Sequence, residues 1–159
     1  MKDFSLLLIK PEALRKRKKI KEFLKQKNYK IIDELNFKNW TKIIRKIYFE
    51  FSKKELNNFI KDYKKSKWKN NFIIIIISHK KLKTIKKLKK DQGNFINYQS
   101  KKEDTLRSRF GLSKKYNSYF KNKKINTTFT YNGFHVPKSK KELEHHLKLF
   151  RIKKPQLLS

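Results

Sequence analysis

The chain has no cysteine and is poor in glycine, proline and acidic residues. Its 159 residues include three Gly, three Pro and only 13 Asp and Glu. The absence of cysteine excludes disulfides, thiolate catalysis and cysteine-based zinc sites, and it argues against a small secreted scaffold. The longest apolar run, residues 72–77, is far too short to cross a bilayer, so we expect no membrane span.

Basic residues, in contrast, are abundant. Lys and Arg number 45, which gives a formal net charge of +32 at pH 7. A hydrophobic fraction of 36%, with 14% aromatics, still suffices for one folded core. We therefore predict a single domain over residues 1–150 and a basic C-terminal tail over residues 151–159. The charge would cause self-repulsion unless a polyanion neutralised it, so the expected partner is RNA, DNA or another acidic surface.

Residue usage also bears on where the protein works. Lys, Ile, Asn, Phe and Tyr are frequent, whereas Ala13 and Val136 are the single alanine and the single valine. This bias is typical of an AT-rich genome and accounts for part of the lysine excess. Residues 4–9 already have the composition of a core strand, so we find no targeting peptide before them. The expected location is intracellular, in a mitochondrion-like organelle or in the cytoplasm.

The order of apolar patterns predicts an α/β (α+β) fold. Strands are expected at residues 5–9, 29–37, 72–77 and 129–136, and helices at residues 12–27, 40–51, 52–63, 80–90 and 139–150. The weakly patterned stretch 91–128 is expected to be a functional loop or a surface excursion. This order is the split βαβ pattern of a ferredoxin-like fold, with a four-stranded antiparallel sheet and helices on one face.

Three separated motifs carry the functional signal. They are Ile9-Lys10-Pro11-Glu12-Ala13 after the first strand, Thr105-Leu106-Arg107-x-x-Phe110-Gly111 in the middle region, and Asn132-x-x-His135 near the last strand. Together with Tyr48, these motifs resemble the nucleoside diphosphate kinase family. The resemblance covers nearly the whole chain in element order, and its specific matches are confined to these few positions.

The resemblance implies transfer of the γ-phosphoryl group from an NTP to an NDP through a phosphohistidine at His135. A neutral imidazole is nucleophilic near pH 7, and phosphoryl transfer needs positioning and cations around the phosphate. The implied nucleotide-binding residues are Lys10, Lys89 and Arg107 at the phosphates, Asn132 at the sugar, Phe59 at the base and Tyr48 near the active site. Mg²⁺ held by the NTP is the implied cofactor of an active enzyme.

The chain departs from the family pattern at several functional positions. The family arginine on the helix after the third strand is a lysine here, Lys89 or Lys90, which keeps the charge without the bidentate fork. The family's threonine-proline stretch is missing near residues 94–98. The serine after the histidine is also absent, because residues 136–138 are Val-Pro-Lys. The resemblance implies a threonine hydroxyl at the phosphate and a serine hydroxyl beside the histidine, and both are therefore lost.

The family glutamate that orients the histidine is displaced as well. Counting without gaps places His146 at its position, and a histidine cannot act as the carboxylate that fixes the imidazole tautomer. With a small register shift, Glu142 or Glu144 would take that role. We expect no metal site, because His79, His145 and His146 have no ligand partners at metal spacing.

The basic residues support a competing hypothesis. They are interleaved with aromatic residues, which suits phosphate contacts and occasional base stacking. The candidate nucleic-acid-binding residues are Arg15, Lys16, Arg17, Lys18, Lys19, Lys114, Lys115, Lys121, Lys123 and Lys124. Two functions are therefore open: a phosphotransferase associated with RNA or another polyanionic assembly, or a catalytically inactive component of a ribonucleoprotein such as an organellar ribosome. The sequence leaves the oligomeric state open.

Overall fold

A computed structural model describes residues 3–94, 103–112 and 131–156. Its strands are β1 (Ser5–Ile9), β2 (Tyr29–Lys38), β3 (Asn71–His79) and β4 (Phe134–His135). A 3₁₀ helix (Pro11–Lys16) precedes α1 (Arg17–Gln26), and the other described helices are α2 (Trp40–Ile47), α3 (Lys53–Lys65), α4 (Thr84–Gln92), α5 (Leu106–Phe110) and α6 (Lys140–Phe150).

The four strands form one antiparallel sheet in the order β2-β3-β1-β4. The strand β3 lies between β1 and β2 and pairs with both, while β4 pairs with the other edge of β1. In that last pairing, Leu8 lies opposite His135 and Ile9 lies opposite Phe134. The arrangement confirms the predicted ferredoxin-like sheet, and it places His135 beside the end of β1.

Helices cover both faces of this sheet, so the expectation of helices on one face is wrong. Alternate residues of β1 and β3 enter two separate core clusters, as Leu8 and Leu7 illustrate. One cluster packs against α2, α3 and α6, and the other packs against α1, α4 and α5. The physical reason is visible in the two central strands, since continuous apolar runs suit strands that are buried on both sides.

Several boundaries differ from those expected, for local reasons. The helix expected at residues 80–90 starts only at Thr84, whose backbone N–H and hydroxyl donate to the carboxylate of Asp3. The helix α5 falls within the stretch 91–128 and begins at a capping box of its own. The capping box predicted for Ser52 and Glu55 is present at α3.

Residues 129–130 of the expected last strand lie outside the described residues. None of the helices in the described ranges is long and apolar enough to cross a membrane.

Candidate active site around His135

The segment after β1 and the loop before β4 are held together by backbone hydrogen bonds. The N–H of Lys10 donates to the carbonyl of Gly133 at 2.8 Å, and the N–H of Gly133 donates to Oε1 of Glu12 at 3.1 Å. Gly133 has a φ of 85°, and a Cβ added to it would lie 3.0 Å from the Cβ of Ala13. Glycine is needed here because both the conformation and the close approach disfavour a side chain. The first and last motifs are thereby brought into contact.

Lys10 and Glu12 form a buried pair at the end of β1. The Lys10 side chain is only 2% exposed, and its Nζ lies 3.8 Å from Oε1 of Glu12. The hydroxyl of Tyr63 donates to Oε2 of Glu12 at 2.8 Å. Burial lowers the pKa of Lys10 to about 8, although the neighbouring Glu12 opposes this shift. Lys10 therefore stays mostly protonated at pH 7, in a site largely closed to water.

His135 faces Glu142, which lies in the first turn of α6. Nε2 of His135 is 3.5 Å from Oε1 of Glu142, a close electrostatic contact without the geometry of a hydrogen bond. The backbone N–H of Lys138 donates to Oε2 of Glu142 at 2.8 Å, and Oγ of Ser139 caps the helix by accepting from the N–H of Glu142. Burial opposes ionisation of Glu142, but the nearby ring of His135 and the N–H of Lys138 outweigh it and lower its pKa to about 2. The carboxylate is therefore ionised and fixed beside the imidazole.

Burial and the contact with Glu142 together determine the protonation of His135. Burial is the main cause that lowers its pKa, with a smaller contribution from Lys10 and Arg107, while Glu142 acts in the opposite direction. The ring is therefore neutral near pH 7. Because Nε2 faces a carboxylate, that nitrogen favours the proton, and Nδ1 keeps its lone pair. A neutral imidazole with one free nitrogen can act as a nucleophile.

The structure shows which acidic residue lies beside His135. Of the two acids considered from the sequence, Glu142 lies at His135, whereas Glu144 pairs with Lys154 at 2.6 Å. His146, at the ungapped position, packs its ring perpendicular to that of His135 with 5.0 Å between centroids. Burial lowers the pKa of His146 to about 3, so this ring is also neutral. The carboxylate thus comes from one helical turn before the position that simple counting indicates.

Arg107 and Tyr48 complete the surroundings of His135. The guanidinium of Arg107 donates to the carbonyl of Gly93 at 3.0 Å and to that of Phe134 at 3.3 Å, and the residue is 8% exposed. The ring of Tyr48 meets that of His135 edge-on, with 5.4 Å between centroids. Lys10, Tyr48 and Arg107, all singled out in the sequence, are therefore gathered around the same histidine.

Three other predicted nucleotide-binding residues are placed differently. Phe59 is 1% exposed and packs in the core against Tyr131, so as placed its ring offers no open face to a base. Asn132 is fully buried, and its Oδ1 accepts from the backbone N–H of Phe134 at 3.4 Å. Lys89 is exposed in the last turn of α4. The assignments of Phe59 to the base, Asn132 to the sugar and Lys89 to the phosphates thus have weaker geometric support than those of Lys10 and Arg107 to the phosphates.

The predicted nucleic-acid-binding residues divide into two groups. Arg15, Arg17, Lys18 and Lys19 are exposed on the 3₁₀ helix and α1. Lys16 is half-buried, and its Nζ donates to a backbone carbonyl of α5 at 3.3 Å. Arg17 pairs with an acid of β2 at 3.2 Å. The other predicted residues, which lie outside the described ranges, are Lys114, Lys115, Lys121, Lys123 and Lys124.

A groove of about 900 Å³ has Glu12 in its lining. Its lining combines the aromatic rings of Trp68 and Tyr131, whose centroids are 4.9 Å apart, with several exposed cations. The cations of the lining are Arg15, Lys65, Lys67 and Lys69. His135, Lys10 and Arg107 do not line this groove. The groove is therefore a surface next to the histidine site and distinct from it.

Sequence reasoning assigned no role to Glu12 and Tyr63. Glu12 links Lys10, Gly133 and the hydroxyl of Tyr63 inside the protein. A signal did exist, because an acid is rare in this chain and this one lies within the first motif. Tyr63 had no comparable signal, since its helical spacing indicates only a core residue.

Comparisons with known proteins bear on the fold and on the family. A model of the nucleoside diphosphate kinase family matches residues 3–154. Among solved structures, the nucleoside diphosphate kinase of Encephalitozoon cuniculi has a TM-score of 0.68 at 15% identity, over 100% of this chain and 95% of that one. The enzyme of Borrelia burgdorferi, a transition state mimic with bound vanadate and ADP, has a TM-score of 0.66 at 18% identity, over 99% and 90%. The Halobacterium salinarum enzyme in complex with CDP has a TM-score of 0.66 at 13% identity, over 94% and 88%.

At such low identity, the likeness to solved structures shows the fold alone. No curated protein matches the chain in sequence. The family model, however, extends over all but a few terminal residues. The chain therefore belongs to the nucleoside diphosphate kinase family.

Proposed function

We propose that this protein transfers the γ-phosphoryl group of an NTP to an NDP through a phosphohistidine at His135. Family membership supports nucleotide phosphotransfer in general. The observation that carries the specific assignment is the contact of 3.5 Å between Nε2 of His135 and Oε1 of Glu142. This contact leaves Nδ1 as the nucleophile and keeps a carboxylate beside the ring as it becomes positive.

The proposed reaction has two half-reactions. In the first, Nδ1 of His135 attacks the γ-phosphorus, a P–N bond forms, and the bond to the bridging oxygen of the leaving NDP breaks. The ring keeps its Nε2 proton, and the ionised Glu142 stabilises the positive charge that the ring acquires. In the second half-reaction a terminal phosphate oxygen of an incoming NDP forms a P–O bond, the P–N bond breaks and returns its electron pair to Nδ1, and His135 becomes neutral again.

Cations around the phosphate support this role. Lys10 and Arg107 both lower the pKa of His135, which means that their positive charges act at the imidazole. The same charges would stabilise the phosphoryl oxygens during transfer. Mg²⁺ prefers oxygen ligands, and both nearby carboxylates, Glu12 and Glu142, already accept hydrogen bonds. Mg²⁺ is therefore best treated as part of the substrate, held by the nucleotide phosphates.

The test is direct labelling of the protein. Purified, nuclease-treated protein is incubated with γ-labelled ATP and Mg²⁺, and acid-labile, alkali-stable label is measured. We expect label on the wild type and on the control His145→Ala, no label on His135→Ala, and transfer of the label to added GDP. Absence of label from protein shown to be folded would refute the proposal.

We infer a second property, association with RNA or another polyanion. The groove with Trp68 and Tyr131 supports it, because aromatic rings beside exposed cations suit a nucleic acid strand. The imbalance of 45 basic against 13 acidic residues leaves most cations without an acid to neutralise them. An inactive component of a ribonucleoprotein, such as an organellar ribosome, would share this surface and is the alternative to an RNA-associated enzyme.

Binding and labelling together separate the two functions. Binding of single-stranded RNA is measured at increasing salt, for the wild type and for His135→Ala. An RNA-associated enzyme should both bind RNA and become labelled, whereas an inactive component should bind RNA without labelling. Failure to bind RNA at low salt would refute the association.

A further inference from the structure

The side chains of His135, Glu142 and His146 converge on one point inside the protein. One ligand atom from each residue lies within 4.8 Å of the ligand atoms of the other two. Two of the residues come from successive turns of α6, because a spacing of four residues places Glu142 and His146 on the same helix face. The third comes from β4. We propose that these three side chains bind a zinc-type divalent cation.

The donor set suits this class of metal. Two imidazole nitrogens and one carboxylate oxygen match a ligand combination known for Zn²⁺. Mg²⁺ and Ca²⁺ prefer oxygen ligands, so the site should discriminate against them.

An unpartnered buried atom supports the proposal independently. Nε2 of His146 is buried and has no hydrogen-bond partner among the described residues, although the residue is only 2% exposed. Buried polar atoms without partners are uncommon, because each one loses its bonds to water without replacement. A metal ion bound to this ring would supply the missing interaction.

The distances fit after a small adjustment. Zn²⁺ bonds of about 2.0–2.2 Å place the donors of a tetrahedral site roughly 3.4 Å apart. Nε2 of His135 and Oε1 of Glu142 already lie 3.5 Å apart. The ring of His146 would then move toward them. The nearby charges of Lys10 and Arg107 oppose a cation, so the three ligands must act together to hold it.

Metal binding would exclude phosphotransfer, a consequence that rests on the proposed function. A metal on Nε2 of His135 would displace the proton that faces Glu142, and a metal on Nδ1 would occupy the attacking nitrogen. Zn²⁺ would therefore act as a reversible inhibitor of the same site. The metal-binding proposal itself does not require the protein to be an active kinase.

Binding is tested with metal alone, without nucleotide. Chelator-treated full-length protein is titrated with Zn²⁺ by calorimetry and with Co²⁺ by visible absorption, in the presence of excess Mg²⁺. We expect one equivalent to bind to the wild type, with the intense Co²⁺ absorption of a four-coordinate site. His146→Asn and Glu142→Gln should each weaken binding at least roughly tenfold, by analogy with the loss of supporting groups at metal sites.

Matched controls on the same helix make the result specific. His145→Asn and Glu144→Gln remove neighbouring groups outside the cluster and should leave binding unchanged. Zn²⁺ should also raise the melting temperature of the wild type and not that of His146→Asn. The melting transition of His146→Asn shows in the same experiment that the variant is folded. Equal affinity of wild type and His146→Asn, or an equal loss in His145→Asn, would overturn the proposal. Failure of labelling with intact metal binding would count against the kinase activity alone.

Discussion

The site around His135 and the outer basic surface use charge in opposite ways. In the site, Lys10 lies beside Glu12 and His135 lies beside Glu142, and all four residues are buried or nearly so. On the surface, cations such as Lys18 are exposed, and the chain has too few acids to pair with them. The paired charges fix positions for chemistry, whereas the uncompensated charges offer attraction to a polyanion. The two regions should therefore respond to different mutations.

The largest effect should come from His135 itself. His135→Ala removes the proposed nucleophile, so exchange of phosphate between ATP and GDP should fall to background. Binding of RNA, which depends on the outer surface, should not change. Exchange kinetics and an RNA-binding titration on the same preparation check both expectations. Loss of both activities in a folded variant would mean that the two regions are coupled.

The second largest effect should come from the carboxylate that faces the imidazole. Glu142→Gln keeps the size of the side chain but cannot stabilise a positive ring, so we expect the transfer rate to fall roughly 100-fold. Glu144→Gln is the matched control, because Glu144 pairs with Lys154 instead. Single-turnover labelling of both variants measures the effect. Equal rates for the two variants would mean that Glu142 does not position His135.

A smaller effect should appear as pH dependence through Lys10. Its pKa is lowered to about 8, so raising the pH through this value removes a positive charge that the phosphates need. We expect kcat/KM for ATP to fall above pH 8, by roughly tenfold one unit higher. Lys10→Arg should keep the charge and abolish this fall in kcat/KM above pH 8, because a guanidinium does not deprotonate in this range. The exposed control Lys86→Arg should show the same fall in kcat/KM above pH 8 as the wild type.

Much of the fold could be predicted from the sequence, because its signals are local and repeated. The apolar run of β3 and the capping box at Ser52 were sufficient to place their elements. The second covered face was missed because element order alone does not say which side of the sheet a helix pair occupies. The continuous apolar runs of β1 and β3 did indicate strands buried on both faces, and the division of their alternate residues between two clusters agrees with that signal.

The candidate site was less predictable, since its geometry depends on register. Lys10 and His135 stood out as motifs, yet counting assigned the glutamate position to His146. Ser139 caps α6 where the sequence predicted, and the first turn of the helix brings Glu142 to the imidazole. The burial of Phe59 could not be anticipated either, because helical spacing does not distinguish a core ring from a base-stacking ring.

The smallest effect, and the sharpest test of the surface, comes from charge reversal at the groove. Arg15→Glu with Lys67→Glu reverses two cations of the lining, and Lys53→Glu with Lys54→Glu makes the same change in net charge at exposed positions of α3. If the groove contacts two phosphates, the first pair should lower the salt dependence of RNA binding by about 1.4, at roughly 0.7 per contact on a single strand. The second pair should act only through the net charge. Equal salt dependence for the two pairs would mean that the RNA is held by the total charge of +32 and not by a defined groove.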